Sequence, residues 1–149
     1  MVWWGVSCKG FTSLCFCEKW VKTGAKVYQE DVLEGVLKQL GSTLFNGERW
    51  IFQQDSAPVH NAKITQQWLK NNIPGFIAAA DWASGSSDLD PLDCSLCSEL
   101  EKMGCRRLRR NLRSLKQFLA QVAQTISMET ERTVLAEWPN RLKACVKKC

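Results

Sequence analysis

Residues 53–60 read Gln-Gln-Asp-Ser-Ala-Pro-Val-His and directly follow a short apolar run, Trp-Ile-Phe, at 50–52. The run predicts a buried strand over 50–54, and Pro58 prevents this strand from continuing. We therefore expect Asp55 at the point where a buried strand ends and a turn begins. A carboxylate in that position suits a hard cation such as Mg²⁺, which prefers oxygen ligands.

A second acidic cluster, Ser-Asp-Leu-Asp-Pro-Leu-Asp, occupies positions 87–93. Pro91 suits the first turn of a helix, with Asp90 as its N-cap and Asp93 three residues later. As an ordinary helical residue, Asp93 would be stabilised by the helix macrodipole, and this role is compatible with metal binding. Acids at a strand end and a helix start are suited to a pair of magnesium ions that activates the attacking oxygen and neutralises the leaving one in phosphodiester cleavage.

Four blocks of sequence together resemble the catalytic domain of mariner-type transposases, in the Tc/mariner superfamily. They occur in the family's order: Val-Trp-Trp-Gly-Val at 2–6, Phe-Gln-Gln-Asp-Ser-Ala-Pro-Val-His at 52–60, Ser-Asp-Leu-Asp-Pro-Leu-Asp at 87–93 and Trp-Pro-Asn-Arg-Leu at 138–142. The resemblance implies a nuclear protein of ribonuclease-H-like α/β fold that cuts and joins DNA with three acids and Mg²⁺ or Mn²⁺. Asp55 matches the second acid and Asp93 the third.

The first acid of the family lies on a strand upstream of the block at 2–6, and no residue of the sequence matches it. We therefore expect residues 1–149 to form an incomplete three-layer catalytic domain that lacks its first central strand and has a helical C-terminal region. Two acids cannot fix both metal ions, so this chain is expected to be inactive alone. The alternative is a noncatalytic module, derived from a transposase, that binds nucleic acid or self-associates.

The missing strand has a structural consequence, because residues 50–54 would be left with unpaired backbone groups on one side. Exposed strand edges invite association. We expect either that the strand at 2–7 pairs directly with 50–54 or that the chain forms homo-oligomers.

Asp88 and Asp90 are the rivals of Asp93 for the third acidic position. Asp90 replaces the Asn usually found in the family and is expected to cap the helix, whereas Asp88 is expected to fix the loop.

His60 is the only histidine. Its place in the block suggests support of the metal site, by contact with a metal ligand or by orienting the turn. An ordinary histidine near a helix N-terminus is the alternative.

Basic charge is concentrated in one part of a chain whose formal net charge is +5. The stretch 102–116 contains seven basic residues and no acidic one. Six of them are expected to contact DNA phosphates without sequence preference, or else to form a solvated helix face. These six are Arg106, Arg107, Arg109, Arg110, Arg113 and Lys116.

The chain has eight cysteines, but neither a signal peptide nor an apolar run of about 20 residues, so we expect no membrane partner and reduced intracellular thiols. Cys94 and Cys97 have the spacing of half a zinc site, which Cys145 and Cys149 could complete. Cys94 and Cys97 occupy positions where the family usually has aromatic residues. Buried packing cysteines are the favoured interpretation.

The remaining pattern alternates strands and helices, which is typical of an α/β layer structure. The predicted elements are a hairpin over 2–17 that turns at 8–10, a helix over 25–40 capped by Gly41, a helix after Asn61 with Ile64, Trp68 and Leu69 on its apolar face, and a strand over 76–79.

A helical stripe is expected beyond residue 93, formed by Leu108, Leu112, Leu115, Leu119, Val122 and Ile126. Trp138-Pro139 is expected to break the last helical region, and Leu142, Cys145 and Val146 to dock its final piece.

Overall fold

The computed structural model describes residues 2–17, 24–82, 89–92, 96–105 and 110–146. These segments form two compact units, one containing 1–3 and 15–85 and the other containing 4–14 and 86–149. In the described segments no helix is long and apolar enough to cross a lipid bilayer.

The N-terminal hairpin confirms the prediction for 2–17. Strand β1 (Val2–Trp3) pairs antiparallel with β4 (Cys15–Phe16), and β2 (Val6–Ser7) pairs with β3 (Gly10–Phe11). Ser7 lies opposite Gly10, whose φ of 129° favours glycine. Within the described chain, β1 pairs with β4 and not with residues 50–54, so the expected direct pairing of these two segments is not observed.

The helix predicted over 25–40 is longer than expected. It comprises α1 (Ala25–Val27), a π-helical segment (Tyr28–Leu37) and α2 (Lys38–Thr43). The prediction that Gly41 caps it was wrong, because the helix continues past Gly41 and ends at Thr43, with Leu44 as its C-cap. The turn that follows uses positive φ angles at Asn46 and Gly47 instead.

The first unit packs around the buried face of this helix. Its core comprises Cys17, Tyr28, Val32, Leu33, Leu37, Trp68, Leu69 and Ile73. The residues from the long helix recur at intervals of four or five, which suits the wider turn of a π-helix. Burial of this apolar face against Trp68 and Leu69 supplies the main stabilisation of the unit.

The strands expected at 50–54 and 76–79 are reduced to one parallel pair, Phe52 with Phe76. Phe52 donates its amide to the carbonyl of Gly75 at 2.9 Å, and Ile77 donates to the carbonyl of Phe52 at 2.9 Å. The two segments therefore lie side by side, as an alternating α/β pattern requires. In the described part of the chain, the central sheet expected for the fold is limited to this pair.

Helix α3 (Lys63–Asn72) follows the motif at 53–60. The predicted Asn61 cap was wrong, because α3 begins after Ala62 and the Asn61 side chain donates to the carbonyl of Ser56. Trp68 and Leu69 are buried as predicted, but Ile64 is half exposed. Thr65 is buried in its place and donates its hydroxyl to the carbonyl of Val59 at 2.7 Å.

The second unit is mainly helical, with α4 (Cys97–Cys105), α5 (Leu112–Thr125) and α6 (Met128–Val146). Its core contains Trp4, Leu96, Leu100, Val122 and Ala123. The Asp90 side chain accepts the amide of Leu92 at 2.9 Å, consistent with the predicted cap.

Three expectations for this unit were wrong. Leu112 is 45% exposed, and it is the first residue of α5, directly after the Asn111 cap. Pro139 lies inside α6 and does not end it. Leu142 remains on the exposed side of that helix, so it does not dock the final piece as expected.

Candidate functional site

Asp55 lies in the turn that follows Phe52, and its carboxylate is held by the turn itself. Oδ1 accepts the amide of Ala57 at 2.9 Å and lies 2.5 Å from Nδ1 of His60. Both contacts fall on the same oxygen, and no residue in the described segments hydrogen-bonds to Oδ2. The side chain is 42% exposed, so one anchored carboxylate presents a free oxygen to solvent.

His60 is more enclosed than Asp55, with a side chain that is 15% exposed. Its backbone amide donates to the carbonyl of Ala57 at 2.8 Å and so closes the turn. Its ring lies against the ring of Tyr28, with centroids 4.7 Å apart and planes tilted by 47°. His60 therefore contacts Asp55 on one side and the core residue Tyr28 on the other, and its support of a metal site stays a prediction.

Tyr28 forms the buried floor of this turn. It is fully buried, and its hydroxyl donates to Oε1 of Gln54 at 2.9 Å. Burial raises the pKa of the Tyr28 hydroxyl far above its usual value, and the nearby Asp55 carboxylate raises it further. The phenol therefore remains neutral and keeps donating its hydrogen bond at physiological pH.

Two glutamine side chains converge on the carbonyl of His60. Gln66 donates to it from Nε2 at 2.9 Å, and Gln54 donates from Nε2 at 3.4 Å. The other end of the Gln66 amide accepts the backbone amide of Ala79 at 3.1 Å. The motif turn is thus connected to α3 and to the segment after Phe76.

The donor set at Asp55 fits a hard divalent cation in part. Carboxylate oxygen is the ligand type that Mg²⁺ and Mn²⁺ prefer, and Oδ2 is available while Oδ1 is anchored. A single carboxylate does not make a site: among the described residues no group of three or more His, Cys, Asp or Glu could hold a metal ion. Asp55 would need further acids, and the predicted one, Asp93, lies outside the described residues together with Asp88.

The basic residues predicted to contact DNA are described in part. Arg106, Arg107 and Arg109 lie outside the described residues. Arg110 and Arg113 are exposed near the start of α5, whereas Lys116 is half buried. The exposed pair is therefore free to meet a polyanion, and the expectation for these two residues stays a prediction.

The cysteine predictions have a mixed outcome. The Cys97 side chain is exposed, so its assignment as a buried packing residue was wrong. It begins the exposed face of α4, while Leu96 and Leu100 take the buried positions. Cys94 and Cys149 lie outside the described residues, as does the side chain of Cys145.

Sequence reasoning missed the roles of Tyr28, Gln54 and Gln66 at this turn. Tyr28 was expected only as one residue of a helical apolar stripe. Gln54 carried a weak signal, because it directly precedes Asp55 in the quoted motif. Gln66 carried none, since its two partners lie six and thirteen residues away and meet it only after folding.

Solved structures define the class of protein to which this fold corresponds. The catalytic domain of the Mos1 mariner transposase matches with a TM-score of 0.82 at 22% identity, over 99% of this chain and 71% of that domain. The Mos1 paired-end complex with Mn matches with a TM-score of 0.82 at 23% identity, over 99% of this chain and 42% of that one. The chain therefore has the fold of a mariner transposase catalytic domain.

Sequence comparison agrees with the fold. The Tcb1 transposase of Caenorhabditis briggsae is 28% identical over 148 residues, covering 98% of this chain and 50% of that protein. The Tcb2 transposase of the same organism is 29% identical over 119 residues, covering 78% of this chain and 41% of that protein. No family model matches the chain.

Together these findings show that the chain is homologous to the Tc1/mariner transposases across nearly its whole length, which confirms the resemblance found in its motifs. The chain spans about half the length of the curated relatives that it matches.

Proposed function

We propose that this chain derives from a transposase catalytic domain that cuts and joins DNA by metal-dependent phosphoryl transfer. The observation that carries the proposal is the carboxylate of Asp55, whose Oδ1 is anchored by Ala57 and His60 while Oδ2 is left for a cation. Support comes from the homology to transposases and from relatives solved with Mn or Mg. Action on chromosomal DNA would place the protein in the nucleus.

Asp55 and Asp93 are the metal ligands in this proposal, by their match to the family's second and third acids. Bound Mg²⁺ or Mn²⁺ would supply activation of the attacking oxygen and neutralisation of the leaving oxygen. His60 would hold Asp55 in one orientation, since outer partners of metal ligands fix ligand geometry. Tyr28, fully buried and neutral, would keep the His60 ring in place.

Within the 149 residues, the proposed metal site has two of the three acids that the family resemblance implies. We propose that the isolated chain binds a divalent cation weakly and does not complete strand transfer. Positioning of both reacting oxygens supplies most of the rate in phosphoryl transfer, and one carboxylate fewer removes it.

A manganese titration followed by electron paramagnetic resonance tests the ligand assignment. Asp55→Asn and Asp93→Asn should each lower the affinity of the chain for Mn²⁺ by about tenfold or more. Asp81→Asn is the matched control, because Asp81 is an exposed carboxylate that the motifs do not include. Equal binding by all four proteins would refute the assignment.

DNA binding without catalysis is the second candidate function. It is favoured by Arg110 and Arg113, which are exposed together at the start of α5. Relatives solved with DNA include the Mos1 paired-end complex with the left transposon end and the Mos1 strand transfer complex. Cation binding that is lost in Asp55→Asn would favour the first function. Salt-dependent DNA binding that is unchanged in Asp55→Asn would favour the second.

A further inference from the structure

We infer that Gln66 is a positioning residue, which fixes the backbone of His60 and thereby the direction in which Asp55 presents its free oxygen. Two contacts lead from Gln66 to the carboxylate of Asp55. Gln66 Nε2 donates to the carbonyl of His60, and the His60 ring contacts Asp55 Oδ1. The consequence for metal binding rests on the proposed function, whereas the structural part does not.

The amide of Gln66 uses both of its ends, which distinguishes it from an ordinary surface glutamine. Its nitrogen is donated to His60 at 2.9 Å and its oxygen accepts Ala79 N at 3.1 Å. The side chain is half buried on α3, between Thr65, which is fully buried, and Gln67, which is exposed. An amide that is hydrogen-bonded through both its nitrogen and its oxygen has a fixed orientation, so the Gln66 side chain can fix the position of the His60 backbone.

The two ends join segments that are distant in sequence. His60 closes the turn of the motif, while Ala79 follows the segment that pairs with Phe52. Gln54 donates to the same carbonyl at 3.4 Å and accepts the Tyr28 hydroxyl. Of the two donors, Gln66 makes the shorter bond, and its oxygen connects the turn to the segment at Ala79, whereas the oxygen of Gln54 accepts from Tyr28 on the long helix. Removing Gln66 leaves the His60 carbonyl with the long bond to Gln54 alone.

The composition of the chain allows this role to be tested unambiguously by nuclear magnetic resonance. His60 is the only histidine and Tyr28 the only tyrosine. Their rings lie 4.7 Å apart between centroids, so a nuclear Overhauser cross-peak between histidine and tyrosine ring protons has one possible origin. The cross-peak reports whether the His60 ring remains over Tyr28 and beside Asp55.

The test compares the wild-type chain with Gln66→Met, which keeps the length of the side chain and removes both hydrogen bonds. The matched control is Gln67→Met, on the same helix, where the side chain donates only to Asn71 and is exposed. We expect the cross-peak in the wild type and in Gln67→Met, and its loss or at least a threefold weakening in Gln66→Met. A cross-peak of equal strength in all three, or none in the wild type, would overturn the inference.

Two additions keep the result interpretable. Gln66→Glu retains an acceptor for Ala79 but replaces the donor to His60, so it should weaken the cross-peak even if Gln66→Met is unstable. Mn²⁺ affinity, measured on the same variants, should fall about tenfold in Gln66→Met and stay unchanged in Gln67→Met. A cross-peak that behaves as expected while the wild type binds no Mn²⁺ would leave the positioning role intact and refute the proposed function.

Discussion

At the scale of the residue, Asp55 combines two properties that are usually alternatives. Its Oδ1 serves the turn by accepting the amide of Ala57, as an ordinary turn aspartate does. In the described segments no residue hydrogen-bonds to Oδ2 of the same carboxylate, and 42% of its side chain is exposed. A structural role and a metal-binding role are therefore compatible, because they use different oxygens.

Tyr28 gives a prediction about pH. Its pKa is raised in the folded chain, so the folded state keeps the phenol proton when the unfolded chain, with an ordinary pKa near 10, has lost it. The stabilising contribution is complete below about pH 10 and is lost as the pH rises above that value, by up to about 1.4 kcal/mol per unit.

Urea denaturation at pH 8 to 11 checks this behaviour. Tyr28→Phe should reduce the fall in unfolding free energy above pH 10, because it removes the titrating group while keeping the ring against His60. At pH 7 the variant should be less stable by about 1 kcal/mol, since Oε1 of Gln54 loses its donor. The same steep fall above pH 10 in both proteins would contradict the burial of the hydroxyl.

At the scale of the element, short sequence patterns predicted the helices and strands that depend mainly on residues close in sequence. The hairpin at 2–17 was predicted from two apolar runs separated by a turn with Gly10, and the long helix that begins at residue 25 was predicted from helical spacing. The end of that helix was not, because Gly41 packs near Trp50 while the helix continues, and the turn uses Asn46 and Gly47. Whether a glycine ends a helix depends on contacts that are remote in sequence.

The candidate site shows the same division. Asp55 and His60 could be predicted because they share one short motif. The pairing of Phe52 with Phe76, and the amide of Gln66 between His60 and Ala79, join separate segments and leave no periodic signal. Asn61 was misassigned as a cap because its side chain has a competing partner, the carbonyl of Ser56.

Helix α5 gives a prediction about DNA. Binding through Arg110 and Arg113 should be weak, independent of sequence and steeply reduced by salt, because each phosphate contact releases counterions. Arg110→Ala with Arg113→Ala should make the slope of log K against log salt shallower by about 1.8. Fluorescence anisotropy with duplex DNA at several salt concentrations measures the slope.

Lys70→Ala is the control, since Lys70 is an exposed cation on α3 of the other unit. It should leave the slope within the experimental error of the wild type. Tight binding to one DNA sequence, or a slope unaffected by the double arginine variant, would show that α5 does not provide the contact.

At the scale of the whole molecule, homology to Tc1/mariner transposases covers nearly all of this chain but about half of its curated relatives. Fold and family resemblance therefore extend through both compact units, whereas the reaction depends on a complete set of acids. Similarity over the whole chain would be compatible with an inactive protein, because folding depends on the core residues and catalysis on a few carboxylates.

The 149-residue chain should accordingly show no strand transfer when it is incubated with transposon-end DNA and Mg²⁺ or Mn²⁺. Gel analysis of labelled ends would detect both nicked and joined products. Products that appear with the wild-type chain and disappear with Asp55→Asn would show that the acids present suffice.

The most direct test of the central claim, that Asp55 presents a metal-binding oxygen beside His60, is the effect of Mn²⁺ on the nuclear magnetic resonance signals of the single histidine. Paramagnetic Mn²⁺ at Asp55 should broaden the His60 ring signals at substoichiometric concentration. The broadening should persist in Asp81→Asn and vanish in Asp55→Asn. Sharp His60 signals in the presence of Mn²⁺, or equal broadening in Asp55→Asn, would contradict the account.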